Sequence, residues 1–305
     1  MEITEFNVVT GAFSHTGKYI TQLLLSMGKK VITLTSRVDR ENAFGHQVKA
    51  FPFNFDKPRE LMNSLRGAKT LYNTYWVRFP HGQVSFDKAV ENSKTLITAA
   101  EEAGIRRIVH ISITNPSEES PFPYFRGKAL VEKAITQSKL SYAIIRPTVI
   151  FGPEGILINN IAWLLRKFPI FAIAGSGDYR IQPVFVEDVA EIAVSAGHKD
   201  SDMVVDAIGL EIFTFDELVR LIANSIHSQA KVIHVSPILA LFLARLIGCA
   251  VKDVVITREE INGLMSNLLV SESPPIGRTR LSEWLEQNAG GVGVRYISDL
   301  ERHYR

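Results

Sequence analysis

The sequence is poor in several features, and each shortage narrows what the chain can be. It has one cysteine in 305 residues, Cys249, so no internal disulfide can form and a reducing compartment is indicated. Its 34 basic and 32 acidic residues leave a net charge of only +2, with no broad cationic field to attract nucleic acid or an anionic membrane. A membrane-length apolar run is also missing. The most apolar stretch, Pro237 to Gly248, falls short of the roughly 18 to 20 residues that cross a bilayer, and Arg245 interrupts it. It is expected to be a buried helix or one that packs on a partner subunit, which leaves a homo-oligomer open. Membrane contact is disfavoured because the run has no clear cationic face. The opening MEITEFNVVTGAF has no basic segment followed by an apolar one, so no secretion signal is expected and the location expected is cytoplasmic. No group of His, Cys, Asp and Glu has metal-ligand spacing, so no metal site is expected. Cys249 has only Arg245 and Lys252 as basic neighbours in sequence and is expected to be a small buried apolar residue rather than a reactive thiol.

Apolar residues make up 46% of the chain, enough for a large core, and their arrangement indicates an α/β fold. Asn7 to Thr10, Val31 to Thr35, Ile108 to Ile111 and Tyr142 to Ile145 read as short strands, apolar along their length. Between them lie helical patterns. Ile20, Leu23, Leu24 and Met27 form one stripe, Asp87 to Ala103 forms another that Gly104 ends, and a further helix is expected around Leu130 to Gln137. Strands of this kind alternating with helices predict a Rossmann-type, doubly wound parallel sheet covered on both faces. The expected division places a dinucleotide-binding domain at residues 1–152. Residues 153–305 form a mixed segment that completes the sheet and builds a smaller substrate lobe. In this half Thr214-Phe-Asp-Glu217 has the form of a capping box before a helix.

Between the first strand and first helix stands Thr10-Gly-Ala-Phe-Ser-His-Thr-Gly17. Gly11 permits the tight turn, Gly17 lets helix and sheet approach, and the helix N-terminus offers N–H groups and dipole to a pyrophosphate. Gly11, Phe13, Ser14, His15, Thr16 and Gly17 are thus the candidate phosphate-binding residues. Ser14 stands where such loops carry a second glycine: either the loop opens slightly or the hydroxyl bonds a phosphate oxygen, and simple tolerance is the favoured reading. After the second strand an NAD site would place an acid to bond the ribose hydroxyls. Ser36 and Arg37 stand there instead, which favours the 2′-phosphate of NADP while leaving NAD possible.

Tyr124-Phe-Arg-Gly-Lys128 places a phenol and an amine one helical turn apart, with Val131 and Ile135 continuing the same inward side. A lysine charge beside a phenol favours the phenolate. Such a tyrosine can pass a proton to or from an alcohol or carbonyl while a nicotinamide handles hydride.

With TGAFSHTG, IVHIS followed by YFRGK, and IRPTVIFGPEG followed by QPVFVEDVA, the chain resembles the short-chain dehydrogenase/reductase superfamily in its extended or atypical branch. Its character is closest to the NmrA-like proteins and the group like the complex I 39-kDa subunit. The likeness covers almost the whole length and is weakest in the last third. It implies that Tyr124 is the acid/base and that Lys128 holds the ribose and tunes Tyr124. The hydroxyl that orients a substrate carbonyl is Ser112 or Thr114, with Ser112 preferred. The resemblance also places Asn54 and Phe55 at adenine, with asparagine in place of the usual aspartate, Thr74 and Tyr75 beside the nicotinamide, and Pro147 near the carboxamide. Trp76, Phe79 and His81 either wall a substrate or pack a loop. Asp188 is read as an N-terminal helix residue rather than a catalytic one.

Two functions remain in view. One is an NAD(P)-dependent oxidoreductase or epimerase-like enzyme acting on a carbonyl or secondary alcohol. The other is a non-catalytic NADP(H)-binding redox sensor or assembly subunit. A sugar-nucleotide substrate would need a polar, basic lobe. Ile156 to Ala174 is mostly apolar, so a small or apolar substrate is expected.

Overall fold

A computed structural model describes residues 5–303. In chain order the elements are β1 (Phe6–Thr10), α1 (His15–Ser26), β2 (Lys30–Thr35), β3 (Val48–Pro52), α2 (Pro58–Leu65), β4 (Ala68–Asn73), α3 (Phe86–Glu102), β5 (Arg107–Ile111), α4 (Pro123–Thr136) and β6 (Ser141–Pro147). There follow β7 (Val149–Phe151), α5 (Ile156–Lys167), β8 (Ile170–Ala174), β9 (Arg180–Ile181), β10 (Pro183–Phe185), α6 (Val186–Gly197), β11 (Met203–Ala207), β12 (Phe213–Thr214) and α7 (Phe215–Ser225). The last elements are β13 (Lys231–Val235), α8 (Pro237–Val251), α9 (Arg258–Met265), α10 (Leu281–Asn288) and α11 (Asp299–His303).

The chain divides into two compact units. The first takes residues 1–147 and 186–206, the second 148–185 and 207–305. The first unit carries a seven-stranded sheet in the order β11-β6-β5-β4-β1-β2-β3, and its pairs from β3 through β6 are parallel. Running outward from β1, the strands go to β2 and β3 on one side and to β4, β5 and β6 on the other. The order therefore reverses between β1 and β4, and in such sheets the crevice at the carboxyl ends of those two strands is where ligands bind.

Apolar strand residues, most of them on strands that the sequence pattern picked out, fill one face of this sheet. Val8, Leu34, Leu71, Ile108 and Ile144 pack with Leu61 and Leu65 of α2, Leu96 and Ile97 of α3, and Val131 and Ile135 of α4. Helices α1 and α6 pack against each other within the same unit. Gly104 adopts φ +79° immediately after α3, and its N–H bonds the Glu101 carbonyl, as expected of a helix stop. Helix α4 begins earlier than the apolar pattern alone indicates. Pro123 at its first position sets the start, which puts Tyr124 and Lys128 on successive turns of regular helix. Asp188 sits in the first turn of α6, the N-terminal helix position expected of it.

One residue of the first unit holds several elements at once. Arg107 is 1% exposed; its guanidinium donates to the Ala196 carbonyl (2.9 Å), to the Ser201 carbonyl (2.9 Å) and to the Ser141 hydroxyl. It ties β5 to the segment that returns after α6. Replacing Arg107 with methionine removes three charge-assisted hydrogen bonds and leaves the buried Ala196 carbonyl without that donor. A loss of about 3 kcal/mol in unfolding free energy is expected from urea titration, and an unchanged midpoint would contradict the role.

The second unit is built from small pieces: β7 with β10 and β8 with β13, both parallel, and β9 with β12, antiparallel. The capping box forms as the sequence predicts, with Thr214 and Glu217 each satisfying the other's backbone N–H at the start of α7. Helix α8 departs from one of its two expected readings, burial within the chain. It is not a buried helix: of its residues only Gly248 is buried, and Ile238, Leu239, Phe242 and Leu246 are exposed. Cys249 is likewise exposed rather than buried. Hydropathy alone reports how apolar a segment is and not what covers it.

Candidate active site

The turn after β1 is held by its own backbone. The Gly11 N–H donates to the Leu34 carbonyl (2.8 Å), Ser14 N–H returns to the Gly11 carbonyl (2.8 Å), and Gly11 takes φ +63°. A Cβ at Gly17 would lie 2.2 Å from the Gly11 carbonyl oxygen, so only glycine lets α1 start this close to the turn. Ser14 is accommodated without opening the loop. Its hydroxyl donates back to the Gly11 carbonyl at 2.6 Å, so its proton is committed inside the turn. Helix α1 begins at His15 and has no acidic residue in its first turn, which leaves the positive end of its dipole for an anion. Phe13, Ser14, His15 and Thr16 are all half-buried around that helix start, and the His15 ring lies 6.0 Å from the Tyr19 ring.

Past the end of β2, Ser36 is exposed and Arg37 half-buried, with the Arg37 N–H bonded to the Thr35 hydroxyl (3.2 Å). Burial, and then the charge of Arg40, hold the Arg37 guanidinium below its ordinary pKa. Two like charges this close favour a shared anion. Arg40, which spacing alone did not single out, joins the candidate set on this ground.

At the end of β4 the expected lining residues act as braces. The Thr74 hydroxyl donates to the Thr10 carbonyl (2.5 Å), and the Thr10 hydroxyl accepts from Thr74 N–H (2.7 Å) while donating to Asn73 Oδ1 (3.2 Å). Tyr75 packs on Phe53 and Phe55 with ring centroids 5.0 Å away in each case, and its hydroxyl accepts from the Asn92 amide (2.9 Å). Asn54 takes φ +46° at the turn after β3, and Phe55 stacks on Phe53 at 4.8 Å. Thus Phe55, with Phe53, meets Tyr75 in one aromatic cluster beyond β3 and β4, two strands that are not neighbours in the sheet, while Thr74 serves the glycine turn. Phe79 is buried with the Arg78 guanidinium over its ring, and His81 exchanges backbone hydrogen bonds with Val84, so these two pack their loop.

The side chains after β5 meet those of α4. Lys128 is 3% exposed; its Nζ donates to the Ile111 carbonyl (2.8 Å) and lies 4.8 Å from the Trp76 ring centre. Burial pushes its pKa down to about 7, against the partial support of Glu132. The Trp76 indole stacks on Phe86 and meets Tyr124 edge-on at 5.9 Å, and Tyr124 also meets Phe86 edge-on at 5.9 Å. A Cβ at residue 127 would fall 2.8 Å from the indole, so Gly127 is what allows Trp76 to lie across α4 and over Lys128. The indole Nε1 is buried and has no hydrogen-bond partner among the described residues.

Below Lys128, the fully buried His110 accepts from the Asn73 amide at Nδ1 (3.1 Å), since the other end of that amide already accepts from Thr10 and from Tyr75 N–H. This fixes the Nε2–H tautomer, and Nε2 is buried without a partner among the described residues. Burial first, and Lys128 second, keep the imidazole neutral.

Neither candidate hydroxyl faces outward with its proton. Ser112 donates to Glu132 Oε1 at 2.5 Å, and Arg146 clasps the same carboxylate through Nε (3.0 Å) and a terminal nitrogen (2.5 Å). Thr114 donates to the Arg146 carbonyl (3.1 Å), and its N–H bonds the carbonyl of Pro147, itself buried at the end of β6. Glu132 is a residue that sequence reasoning missed, although Tyr124, Lys128 and Glu132 stand at i, i+4 and i+8 on one helical side. His110 and Asn73 gave no such signal, because their partnership joins residues 37 positions apart on neighbouring strands.

A dinucleotide fits these residues: a turn that a Cβ at Gly17 would fill, a helix start without acid, and paired guanidiniums after β2. Residues 11–156 match a family described as NAD(P)H-binding. That match covers just under half of the chain, and over it the chain is similar to NAD(P)H-binding proteins. Over 87% of its length it is 25% identical to the mitochondrial NADH dehydrogenase (ubiquinone) 1 alpha subcomplex subunit 9 of Arabidopsis thaliana, of which it covers 71%. It is 31% identical to sterol demethylase protein B of Methylococcus capsulatus over 48% of this chain and 52% of that one. Its fold matches the Citrobacter sp. triphenylmethane reductase complexed with NADP(H), with a TM-score of 0.77 and 18% identity, covering 92% of this chain and 99% of that one. These similar proteins thus carry the names of a respiratory-complex subunit, a sterol demethylase protein and a reductase.

Proposed function

We propose that the chain is an NADP(H)-dependent oxidoreductase acting on a carbonyl or secondary alcohol of a small or apolar substrate, in the cytoplasm, with Tyr124 as proton donor and acceptor. The observation that carries this reading is Lys128. A wholly buried amine with a pKa near 7, one helical turn from a half-buried tyrosine, is costly to keep in a fold and is of the kind found at proton-transfer sites. A packing role alone would be served by an apolar side chain.

In this reading the α1 N-terminus and the glycine turn hold the pyrophosphate, and Arg37 with Arg40 holds the adenosine 2′-phosphate. The bound nicotinamide supplies or accepts hydride. Tyr124 supplies the proton to the substrate oxygen on reduction and takes it back on oxidation. Lys128, titrating near neutrality, supports the tyrosine most when it is itself charged, below pH about 7. The Glu132 carboxylate, clasped by Arg146, fixes Ser112 at the foot of the site. The test is a panel of aldehydes, ketones and quinones offered with NADPH. Cofactor consumption on at least one class is expected, and binding without consumption on all of them would remove the enzyme reading.

A second reading is favoured by a specific observation. Trp76 covers Lys128, and the protons of Ser112 and Thr114 are committed to Glu132 and to a backbone carbonyl. A protein that senses or merely carries NADP(H), or serves as an assembly subunit, has no need of an exposed hydroxyl donor.

The cofactor preference has its own test. Arg37→Ala should weaken NADPH binding about tenfold or more, in line with the loss of a charge-assisted contact, and leave NADH binding nearly unchanged. Equal losses for both dinucleotides, read by fluorescence titration, would remove the preference for NADP.

A further inference from the structure

Given the dinucleotide site proposed above, we infer that Trp76 is a gate over Lys128, closed by its own packing and displaced when a dinucleotide fills the crevice beside it. Trp76 stands just past the end of β4, at the carboxyl ends of the strands where the sheet order reverses. Strand order then decides which half of a dinucleotide meets it. With the adenosine 2′-phosphate held after β2 and the pyrophosphate at the turn after β1, the nicotinamide half continues over the ends of β4 and β5. The half-buried indole lies there, over an amine that is 3% exposed. With the indole in place, Lys128 has the Ile111 carbonyl and the ring as its neighbours. With the indole displaced, the amine opens to the crevice, one helical turn from Tyr124.

What closes the gate is local. The indole stacks on Phe86 at 6.2 Å, meets Tyr124 edge-on at 5.9 Å and takes the Lys128 Nζ 4.8 Å from its ring centre. Its one polar atom adds nothing to the hold. Nε1 is buried with no hydrogen-bond partner among the described residues, a cost that the closed position carries and an outward swing relieves. The room for the indole exists because residue 127 is glycine. A Cβ there would lie 2.8 Å and 3.0 Å from two carbons of the indole six-membered ring, against 3.5 Å from Val90. Gly127 lies inside α4 and is not among the glycines of positive φ, and alanine is the better helix former at such a place. The seat of the indole, rather than the backbone, is what calls for glycine.

The test is fluorine NMR of the full chain labelled with 5-fluorotryptophan, which gives a signal for each of Trp76, Trp163 and Trp284. Trp76→Phe assigns the first by its loss. Saturating NADPH is expected to shift the Trp76 signal and to increase its broadening by a water-soluble paramagnet. Adenosine 2′,5′-bisphosphate, which lacks the nicotinamide half, should bind and leave that signal in place. Gly127→Ala should set the signal, without any nucleotide, near its position in NADPH-bound wild type. It should also strengthen NADPH binding about threefold or more, because the closed state no longer has to be opened, and leave bisphosphate affinity unchanged. A Trp76 signal that saturating NADPH does not move, or that the bisphosphate moves equally, would overturn the gate and leave the dinucleotide site standing. So would a Gly127→Ala variant with the signal unmoved or with NADPH affinity lowered. Failure of NADPH to bind the wild type removes the dinucleotide reading itself, and the gate with it.

Discussion

Tyr124→Phe is expected to lower the rate of NADPH-dependent carbonyl reduction by about 10²- to 10⁴-fold, the range for removing a positioned proton donor. The substitution deletes one oxygen and keeps the ring. The edge-on contacts with Trp76, Phe86 and Phe125 at 5.7 to 5.9 Å therefore persist, and stability should change little. NADPH affinity should also hold, because the glycine turn and Arg37 are untouched. The loss is predicted to fall on kcat and kcat/KM together, since the proton is needed only as the transition state forms. Steady-state kinetics on the best substrate of the panel would check this. A variant that turns over at the wild-type rate removes Tyr124 from the mechanism and leaves Lys128 as a buried amine without a proton partner.

Lys128→Met is the second large effect, and it has opposite signs in stability and activity. The amine has a pKa of about 7 in the fold against 10.5 when solvated, so burial costs on the order of 4 kcal/mol at pH 7. Between pH 7 and 10.5 the unfolded chain holds a proton at this site that the folded chain has lost. Raising the pH through that window therefore favours the fold, and below pH 7 the full cost is paid. Methionine fits a similar volume and loses the bond to the Ile111 carbonyl, so a net gain of about 2–3 kcal/mol at pH 7 is expected. The wild type should gain about 2 kcal/mol from Lys128 between pH 7 and 9, and the variant should lack that rise. Urea midpoints at the two pH values read both, and identical pH dependence in the two proteins would contradict a depressed amine. Activity should fall with the amine's removal, because the tyrosine loses its charged neighbour.

Much of the first unit was legible because local signals and tertiary structure agree there. Gly11 and Gly17 bracket a strand-to-helix turn of the kind a dinucleotide loop uses, and the apolar stripe of α3 faces inward as its period requires, whereas in the expected stripe of α1 Ile20 and Leu24 are buried, Leu23 is half-buried and Met27 is exposed. The pair Tyr124 and Lys128 was legible from its spacing and from the strands on either side. Strand β3 (VKAFP) was not, since a lysine and a proline blur its pattern. The partners of the site residues were also hidden. Trp76 over Lys128, Asn73 on His110 and Thr74 on Thr10 are long-range contacts set by the sheet order, which no local window contains. Helix α8 misled for a different reason. An apolar helix reads as interior, and only the fold reveals that one side of it packs on its own unit, against β8, while the other side is exposed.

The most direct measurement is transfer of deuterium from NADPH carrying the label at nicotinamide C4 to a carbonyl substrate, followed by mass spectrometry of the product. An oxidoreductase of the kind proposed delivers deuterium to the carbonyl carbon, retains this with Arg37→Ala at raised NADPH concentration, and loses it with Tyr124→Phe. NADPH bound tightly by the wild type, with no label in any product across the panel, would contradict the account and leave a dinucleotide-binding protein that does no hydride chemistry.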